Sequence, residues 1–157
     1  MSNLSDIIED FINELIESTN NSFIEIQRNM LAQQFDCSPS QINYVLSTRF
    51  NSDKGYIIES RRGGGGYVKI FKVDTSSDEH LENILNKSIG DSITLNRAND
   101  ILNVFNQKGI ITLKEQNIIK AAINDRALNR IFYEDRNRLR ADVLKEVLLA
   151  LINEESE

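Results

Sequence analysis

The sequence predicts a mainly α-helical protein in two parts, and three observations lead to this fold class. Apolar residues recur at helical spacing through most of the 157 residues. Two segments rich in β-branched and aromatic residues, 56–60 and 67–73, flank an arginine- and glycine-rich stretch and predict a hairpin. A polar segment at 74–78 precedes a second part that shows helical patterns alone. The predicted domains are therefore residues 1–73 and 79–157, joined by a linker at 74–78.

The first two predicted helices are separated by a short strand. The first helix covers the apolar residues of 4–16, and Asn3 or Ser5 can cap its N-terminus. Residues 23–26 alternate in the manner of a short strand. The second helix is predicted over residues 29–35, capped by the asparagine that begins it, and a tight turn follows.

The third predicted helix begins with a strong start signal. Ser38 is a favourable N-cap, Pro39 suits the first helical position, and Gln41 stands three residues after the cap. The helix is expected to end near Arg49. Its spacing turns Ile42, Val45 and Leu46 inward, and its outward residues are predicted to be Ser40, Gln41, Asn43, Tyr44, Ser47 and Thr48.

The second part is predicted to be a bundle of four short amphipathic helices. Gly90 and Gly109 are expected to end the first two of them, and Thr112 with Glu115 forms a capping box that begins the third. A bundle of this size has a thin core and often completes it by pairing with a second copy. The helices are expected over residues 81–89, 95–105, from 113 onwards, and 139–151.

Positive charge is concentrated in one segment of an acidic chain. The net charge is −6, yet residues 49–72 hold six basic and two acidic residues. Contact with phosphate needs a local concentration of positive charge, and the total charge matters less. This segment contains the hairpin and is therefore a candidate for phosphate contact. A solvated strand face is the alternative explanation.

The order of elements in the first part is that of a winged helix-turn-helix with a two-stranded β wing. A polar-faced third helix can approach base edges in the major groove, where the amides of Gln41 and Asn43 can read adenine. Arginines at the hairpin tip can enter a narrow minor groove. Arg28, near the start of the second helix, and Arg49, at the end of the third, are expected to contact phosphates. The predicted DNA-binding residues are Arg28, Ser40, Gln41, Asn43, Tyr44, Ser47, Thr48, Arg49, Arg61, Arg62, Gly63, Gly64, Gly65 and Gly66.

The sequence offers little for catalysis or metal binding. A lone Cys37 and a lone His80 form no metal-ligand set. The glycines at 63–66 precede a strand, so they match neither the dinucleotide fingerprint nor a phosphate loop. With no nucleophile–base signature, we expect no enzyme, no cofactor and no metal. The short apolar runs and the absence of a secretory pattern predict a cytoplasmic chain without a membrane segment.

Two other binding functions remain open at this point. A winged-helix protein–protein adaptor without specific DNA binding is disfavoured by the basic hairpin. An RNA-binding module is weakened because Tyr67 is the single aromatic residue beside the hairpin tip, whereas single strands are bound by several stacking aromatics. A duplex-binding assay separates these functions from DNA recognition.

Two blocks of the sequence closely resemble the CtsR family, the repressors of class III stress genes in low-GC Gram-positive bacteria. The blocks are residues 37–50 (CSPSQINYVLSTRF) and 55–67 (GYIIESRRGGGGY), and the opening residues 4–9 (LSDIIE) match as well. The resemblance is strong over the N-terminal half. In the second half it extends to length and helical pattern.

The resemblance implies a homodimer that binds double-stranded operator DNA, a tandem direct repeat of the GGTCAAA type, upstream of genes for the Clp protease machinery. It implies that the C-terminal domain dimerises and that the glycine-rich wing is sensitive to temperature. It also implies two partners, a protein-arginine kinase and a ClpC–ClpP-type protease. Arg62 matches the arginine that the kinase modifies in this family.

Overall fold

The structure, a computed structural model, describes residues 3–60 and 66–154. Its contacts divide the chain into two compact units, Met1–Lys72 and Val73–Glu157. The N-terminal unit contains three helices, a single 3₁₀ turn and three strands within its described residues. In chain order these are α1 (Leu4–Ser18), β1 (Phe23–Gln27), α2 (Arg28–Gln34), α3 (Pro39–Arg49), the 3₁₀ turn Ser52–Lys54, β2 (Tyr56–Ser60) and β3 (Tyr67–Lys72).

The starts of α1 and α3 are as the sequence predicts. Of the two candidate caps of α1, Asn3 is the N-cap, and its side chain accepts a hydrogen bond from the backbone N–H of Asp6 at 2.9 Å. The Asp6 carboxylate accepts from the Asn3 backbone N–H in return, which completes a capping box. Ser38 caps α3 by accepting from the Gln41 backbone N–H at 3.2 Å, with Pro39 at the first helical position.

The predicted start of α2 at Asn29 is wrong. The helix begins at Arg28, directly after β1, and its N-cap Gln27 makes no side-chain hydrogen bond to the helix. The sheet replaces the cap, because the Arg28 backbone N–H donates to the carbonyl oxygen of Gly66 at 3.2 Å. The helix is followed by the predicted tight turn, in which Asp36 adopts a left-handed φ of 51°.

The sheet has three strands, where the sequence predicts a two-stranded wing. Its order is β1-β3-β2, and both pairings are antiparallel. Phe71 of β3 lies between Phe23 of β1 and Ile57 of β2. The prediction correctly includes strand 23–26 but assigns it no partner, because a pairing between residues 40 to 48 positions apart leaves no local signal.

The core of the N-terminal unit lies between the helices and one face of the sheet. α1 and α2 both pack against α3, so the turn between α2 and α3 presents α3 at the surface. The edge-to-face ring pairs Phe11–Phe35 and Phe50–Tyr56 close the sides of this core, at centroid distances of 5.3 and 5.0 Å. The buried residues of this core are Ile8, Ile12, Ile24, Ile26, Leu31, Ala32, Ile42, Val45, Leu46, Phe50, Val68 and Ile70.

The C-terminal unit contains the four predicted helices within its described residues. They are α4 (Asp78–Ile89), α5 (Leu95–Gln107), α6 (Leu113–Ile123) and α7 (Tyr133–Glu154). The capping box of Thr112 and Glu115 is present at the start of α6. Gly90 and Gly109 follow the first two helices with positive φ values of 66° and 75°. No helix among the described residues has the length and apolarity needed to cross a membrane.

A buried arginine, absent from the residues predicted from the sequence, joins the loops of the C-terminal unit. Arg140 of α7 is 1% exposed. Its guanidinium donates to the carbonyl oxygens of Ile123 (2.9 Å) and Ile93 (3.2 Å), and also to the side chains of Asn137 and Asp125. The signal was its position four residues before Leu144, on the apolar face of the helix.

Candidate nucleic-acid interface

One face of α3 is polar, exposed and free of packing by the described residues. Ile42, Val45 and Leu46 are buried, and they fix the opposite face against the core. The outer residues therefore point away from the protein at helical spacing. This exposed face of α3 consists of Ser40, Asn43, Tyr44 and Ser47, all of them in the predicted set.

Gln41 does not face outward as predicted. It is half-buried, and its side-chain amide donates to the hydroxyl of Ser5 at 3.0 Å. Ser5 is itself buried in α1, so this bond fixes α3 against α1. Sequence spacing could not find the contact, because the two residues are 36 positions apart. Asn43 is the amide on α3 that stays exposed.

Arg49 forms ion pairs with two carboxylates of α1, whereas its predicted role is a phosphate contact. Its Nη1 lies 2.9 Å from Oδ1 of Asp6 and also contacts Oε1 of Glu9. The Arg49 guanidinium, followed by the Asn3 backbone N–H, holds the pKa of Asp6 below its usual value. Hydrogen bonds to the carboxylates of Asp6 and then Glu9 raise the pKa of Arg49. In this geometry Arg49 holds α3 against α1, and a phosphate would have to compete with both carboxylates.

The hydroxyls of Ser47 and Thr48 both donate to the backbone carbonyl of Tyr44, at 3.2 and 2.6 Å. Each still has lone pairs that can accept a hydrogen bond. Ser47 is exposed and Thr48 is half-buried, so Ser47 is the better placed of the two for an outside ligand.

Arg28 fastens the base of the wing, the hairpin of β2 and β3. Its Nη2 donates to the hydroxyl of Ser60 at 2.8 Å, and its Nη1 donates to the carbonyl of Gly66 at 3.3 Å. One guanidinium thus bridges the end of β2 and the residue before β3. The predicted role of Arg28 near the start of α2 is a phosphate contact, but the structure shows it holding the two ends of the wing loop.

The charges of the sheet are partly balanced within the protein. Lys69 of β3 lies between Glu25 and Glu59 on the neighbouring strands, and its Nζ is 4.9 Å from the centre of the Phe23 ring. It is therefore poorly placed to contact phosphate. Lys54 and Lys72 are exposed basic residues of the same segment.

Five predicted residues lie outside the described part of the chain. They are the wing residues Arg61, Arg62, Gly63, Gly64 and Gly65. Gly66, the last glycine of the run, is described and has a positive φ of 78°. Within residues 3–60 and 66–154, no group of three His, Cys, Asp or Glu side chains is arranged to hold a metal ion.

Comparison with known proteins gives matches over nearly the whole chain. The family model described as the CtsR N-terminal HTH domain matches residues 3–74, and that described as the CtsR C-terminal dimerization domain matches residues 77–149. Curated relatives carry the name transcriptional regulator CtsR. The one from Staphylococcus haemolyticus is 44% identical over 153 residues, 98% of this chain and 99% of the relative. The one from Staphylococcus saprophyticus is 42% identical over 148 residues, 94% and 96% of the two chains.

A solved structure is also similar to the chain. It is described as the crystal structure of CtsR in complex with a 26bp DNA duplex. Its sequence is 37% identical, the TM-score is 0.54, and the match covers 96% of this chain and 99% of that chain.

Proposed function

Because the chain belongs to the CtsR family of transcriptional regulators, we propose that it is a dimeric, sequence-specific repressor of heat-shock and Clp protease genes. It acts in the bacterial cytoplasm and binds double-stranded operator DNA of the tandem GGTCAAA type. Its N-terminal helix-turn-helix domain reads the operator, and its C-terminal domain dimerises.

The exposed face of α3 is the observation that carries this proposal. An α-helix fits the major groove of B-DNA, where each base pair presents a distinct set of donors and acceptors. The face offers the amide of Asn43 and the hydroxyls of Ser40 and Ser47, and beside the ring of Tyr44 it carries no exposed aliphatic side chain. Such a face suits a polar groove better than it suits a protein partner, which disfavours the adaptor function.

Asn43 is the residue we assign to base reading. Its amide can both donate to and accept from an adenine edge. Gln41 can do the same only after leaving the hydroxyl of Ser5, so it contributes to specificity mainly by orienting α3. Ser40 and Ser47 are placed on the same face to contact phosphates or bases.

The wing supplies a second contact in our proposal, in the adjacent minor groove. Arg28 and Gly66 fix its base beside α2. Arg61 and Arg62 then enter a narrow A/T-rich minor groove, where negative potential attracts arginine. The tip glycines Gly63, Gly64 and Gly65 allow the backbone to approach the groove wall.

We further propose that the wing is where repression is released. Phosphorylation of Arg62 by a protein-arginine kinase replaces a cation with an anion inside a phosphate-lined groove, so attraction becomes repulsion. Ordering a glycine-rich segment on DNA costs entropy, about 1–2 kcal/mol for each residue, and this cost grows with temperature. Heating therefore weakens the wing contact before the protein unfolds. A ClpC–ClpP-type protease removes the released repressor.

Fluorescence anisotropy tests the proposal. The full chain is titrated onto a duplex carrying the tandem heptamer and onto a scrambled duplex, at fixed salt, at a growth temperature and at a heat-shock temperature. We expect tight binding to the heptamer duplex alone, and weaker binding at the higher temperature while circular dichroism still reports a folded protein. Equal affinity for the two duplexes would contradict sequence-specific repression and favour the adaptor.

The comparison of binding at the two temperatures tests the wing as thermosensor separately. Specific binding that does not weaken below the melting temperature would keep the repressor and would contradict the wing as thermosensor. The kinase partner would then be the remaining route by which heat acts.

A further inference from the structure

α7 is the longest helix among the described residues, with 22 residues, and part of its outer face is apolar. Its inner face is buried in the C-terminal unit through Ala141, Leu144, Leu148 and Ile152. Apolar residues nevertheless continue on the outside. Phe132, directly before the helix, is 80% exposed, and Leu139 is 37% exposed.

The outer residues follow a heptad spacing. Starting from residue 132, the positions advance alternately by four and three residues, which is the spacing of a seam between two packed helices. Every one of these positions is exposed or half-buried. We call this set the outer seam. It consists of Phe132, Arg136, Leu139, Val143, Glu146 and Ala150.

We propose that the outer seam packs antiparallel against the same seam of a second copy of this chain. The inference rests on the dimeric repressor proposed above and specifies the surface that forms the dimer. In a two-fold arrangement every pairing occurs twice. When Leu139 faces Val143 of the partner subunit, the same register places Phe132 opposite Ala150 of the partner subunit. A large ring then meets a small side chain, as close packing requires.

The same register brings opposite charges together. Arg136 faces Glu146 of the partner subunit, and the two residues stand ten positions apart in the sequence. Ten residues span about 15 Å along a helix, so the pair cannot form within one chain. A parallel, in-register pairing would instead oppose each charge with its own copy, which is unfavourable. The charges therefore select the antiparallel arrangement.

The side chains of Arg136 and Glu146 are both positioned to form this ion pair. Arg136 lies over the ring of Tyr133, 5.5 Å from its centre, and its Nη2 makes a 3.5 Å hydrogen bond to the carbonyl oxygen of Asn129. These contacts hold the guanidinium near the start of α7 and leave further donors unused. Glu146 is exposed and forms no ion pair with any other described residue.

The matched dimerization domain supports a second copy as the occupant. It spans residues 77–149 and so includes most of α7. A competing surface exists on α6, where Leu113 and Ile118 are 63% and 59% exposed. α6 does not offer paired opposite charges at heptad spacing, so we assign the dimer interface to α7. A dimer that forms through α6 would contradict this assignment.

Sedimentation velocity of the full chain without DNA tests the charge pairing. We expect Arg136→Glu to raise the dimer dissociation constant roughly tenfold or more, because like charges then face each other. Glu146→Arg should do the same, and the double variant Arg136→Glu/Glu146→Arg should restore the dimer. Arg138→Glu is the matched control, since Arg138 is an exposed arginine of α7 outside the outer seam. Failure of the double variant to recover would overturn the proposed register.

A second pair of variants tests the surface itself. Leu139→Glu should dissociate the dimer, and Ile118→Glu on α6 should leave it intact, with circular dichroism confirming that both are folded. The reverse result would place the dimer on α6 and refute the outer seam. A wild-type chain that sediments as a monomer would contradict the dimeric repressor as well. A dimer that survives every seam variant and still binds the operator would refute the seam alone.

Discussion

Arg28 and Gly66 hold each other in place at the base of the wing. The backbone N–H of Arg28 donates to the Gly66 carbonyl at 3.2 Å, and the guanidinium reaches the same oxygen at 3.3 Å. A Cβ on Gly66 would lie 3.1 Å from Nη1 of Arg28. An alanine at position 66 would therefore require the flexible end of the Arg28 side chain to shift by a few tenths of an ångström.

Gly66→Ala should therefore weaken both the fold and the proposed operator binding. A non-glycine residue at a φ of 78° is strained, which costs about 1–3 kcal/mol of unfolding free energy, measurable by urea denaturation. The added methyl group also displaces the Arg28 guanidinium, so operator affinity should fall at a temperature where the variant is folded. Gly109→Ala is the matched control, because Gly109 has a similar φ of 75° and nothing within 4 Å of the added Cβ. It should lose stability and keep its affinity.

Asn43→Ala should reduce operator affinity without changing the melting temperature. Its amide is exposed and has no packing role, and one bidentate contact to a base contributes about 1–3 kcal/mol, or roughly fivefold to a hundredfold in affinity. Anisotropy titration measures the loss. Gln34→Ala, which removes an exposed amide from α2, is the control. Equal losses for the two variants would contradict base reading by Asn43.

Arg62→Glu should imitate the phosphorylated wing. Replacing the cation by an anion next to DNA phosphates should weaken binding roughly tenfold or more and reduce the salt dependence of the affinity. Arg62→Gln separates loss of attraction from gain of repulsion, and it should fall between the wild type and Arg62→Glu. Normal affinity of Arg62→Glu would remove Arg62 from the proposed contact and make Arg61 the candidate.

The ion pair of Asp6 and Arg49 should make the N-terminal unit less stable in acid. The folded state lowers the pKa of Asp6, so the pair stabilises the protein above the carboxyl's ordinary pKa, and that stabilisation is lost as the pH falls through the lowered value. The stability difference between the wild type and Asp6→Asn should thus be present at pH 7 and shrink below about pH 4. Urea unfolding across this range measures it. Asp10→Asn, an exposed change on the same helix, should show no such trend.

Arg140→Met should destabilise the C-terminal unit by about 3–5 kcal/mol, because it leaves buried hydrogen-bond acceptors without a donor. Two of these acceptors are the backbone carbonyls of Ile93 and Ile123. Denaturant unfolding measures the loss. Arg138→Met is the exposed control and should stay within about 0.5 kcal/mol of the wild type. A small loss at Arg140 would show that water replaces the guanidinium.

Local signals predicted the elements well. The start of α3 followed from Ser38 and Pro39, and the start of α6 from Thr112 and Glu115, because a helix cap depends on residues three positions apart. The start of α2 failed for the opposite reason. Its N-terminus is set by a backbone hydrogen bond to Gly66, 38 positions away, and the capping ability of Asn29, on which the prediction rested, has no part in it.

In the candidate site, too, local sequence signals predicted some features, and contacts between distant residues determined others. Helical spacing placed Ser40, Asn43, Tyr44 and Ser47 on the surface, as the structure does. It gave Gln41 the same orientation, but the buried hydroxyl of Ser5 draws that side chain inward. For residues 61–65 the wing remains a prediction from sequence.

The pairing of Phe23 with Phe71 has a consequence for synthesis on the ribosome. The central strand β3 is the last element of its unit, and the helix-turn-helix lies in the loop that it closes. A nascent chain that ends before β3 lacks the partner of both β1 and β2, so the unit cannot complete its sheet until that strand has emerged. Non-local closure of this kind is slow compared with helix formation. The helix-turn-helix unit is thus completed late in the translation of its own half, but before the C-terminal helices that would join two chains have all emerged from the ribosome.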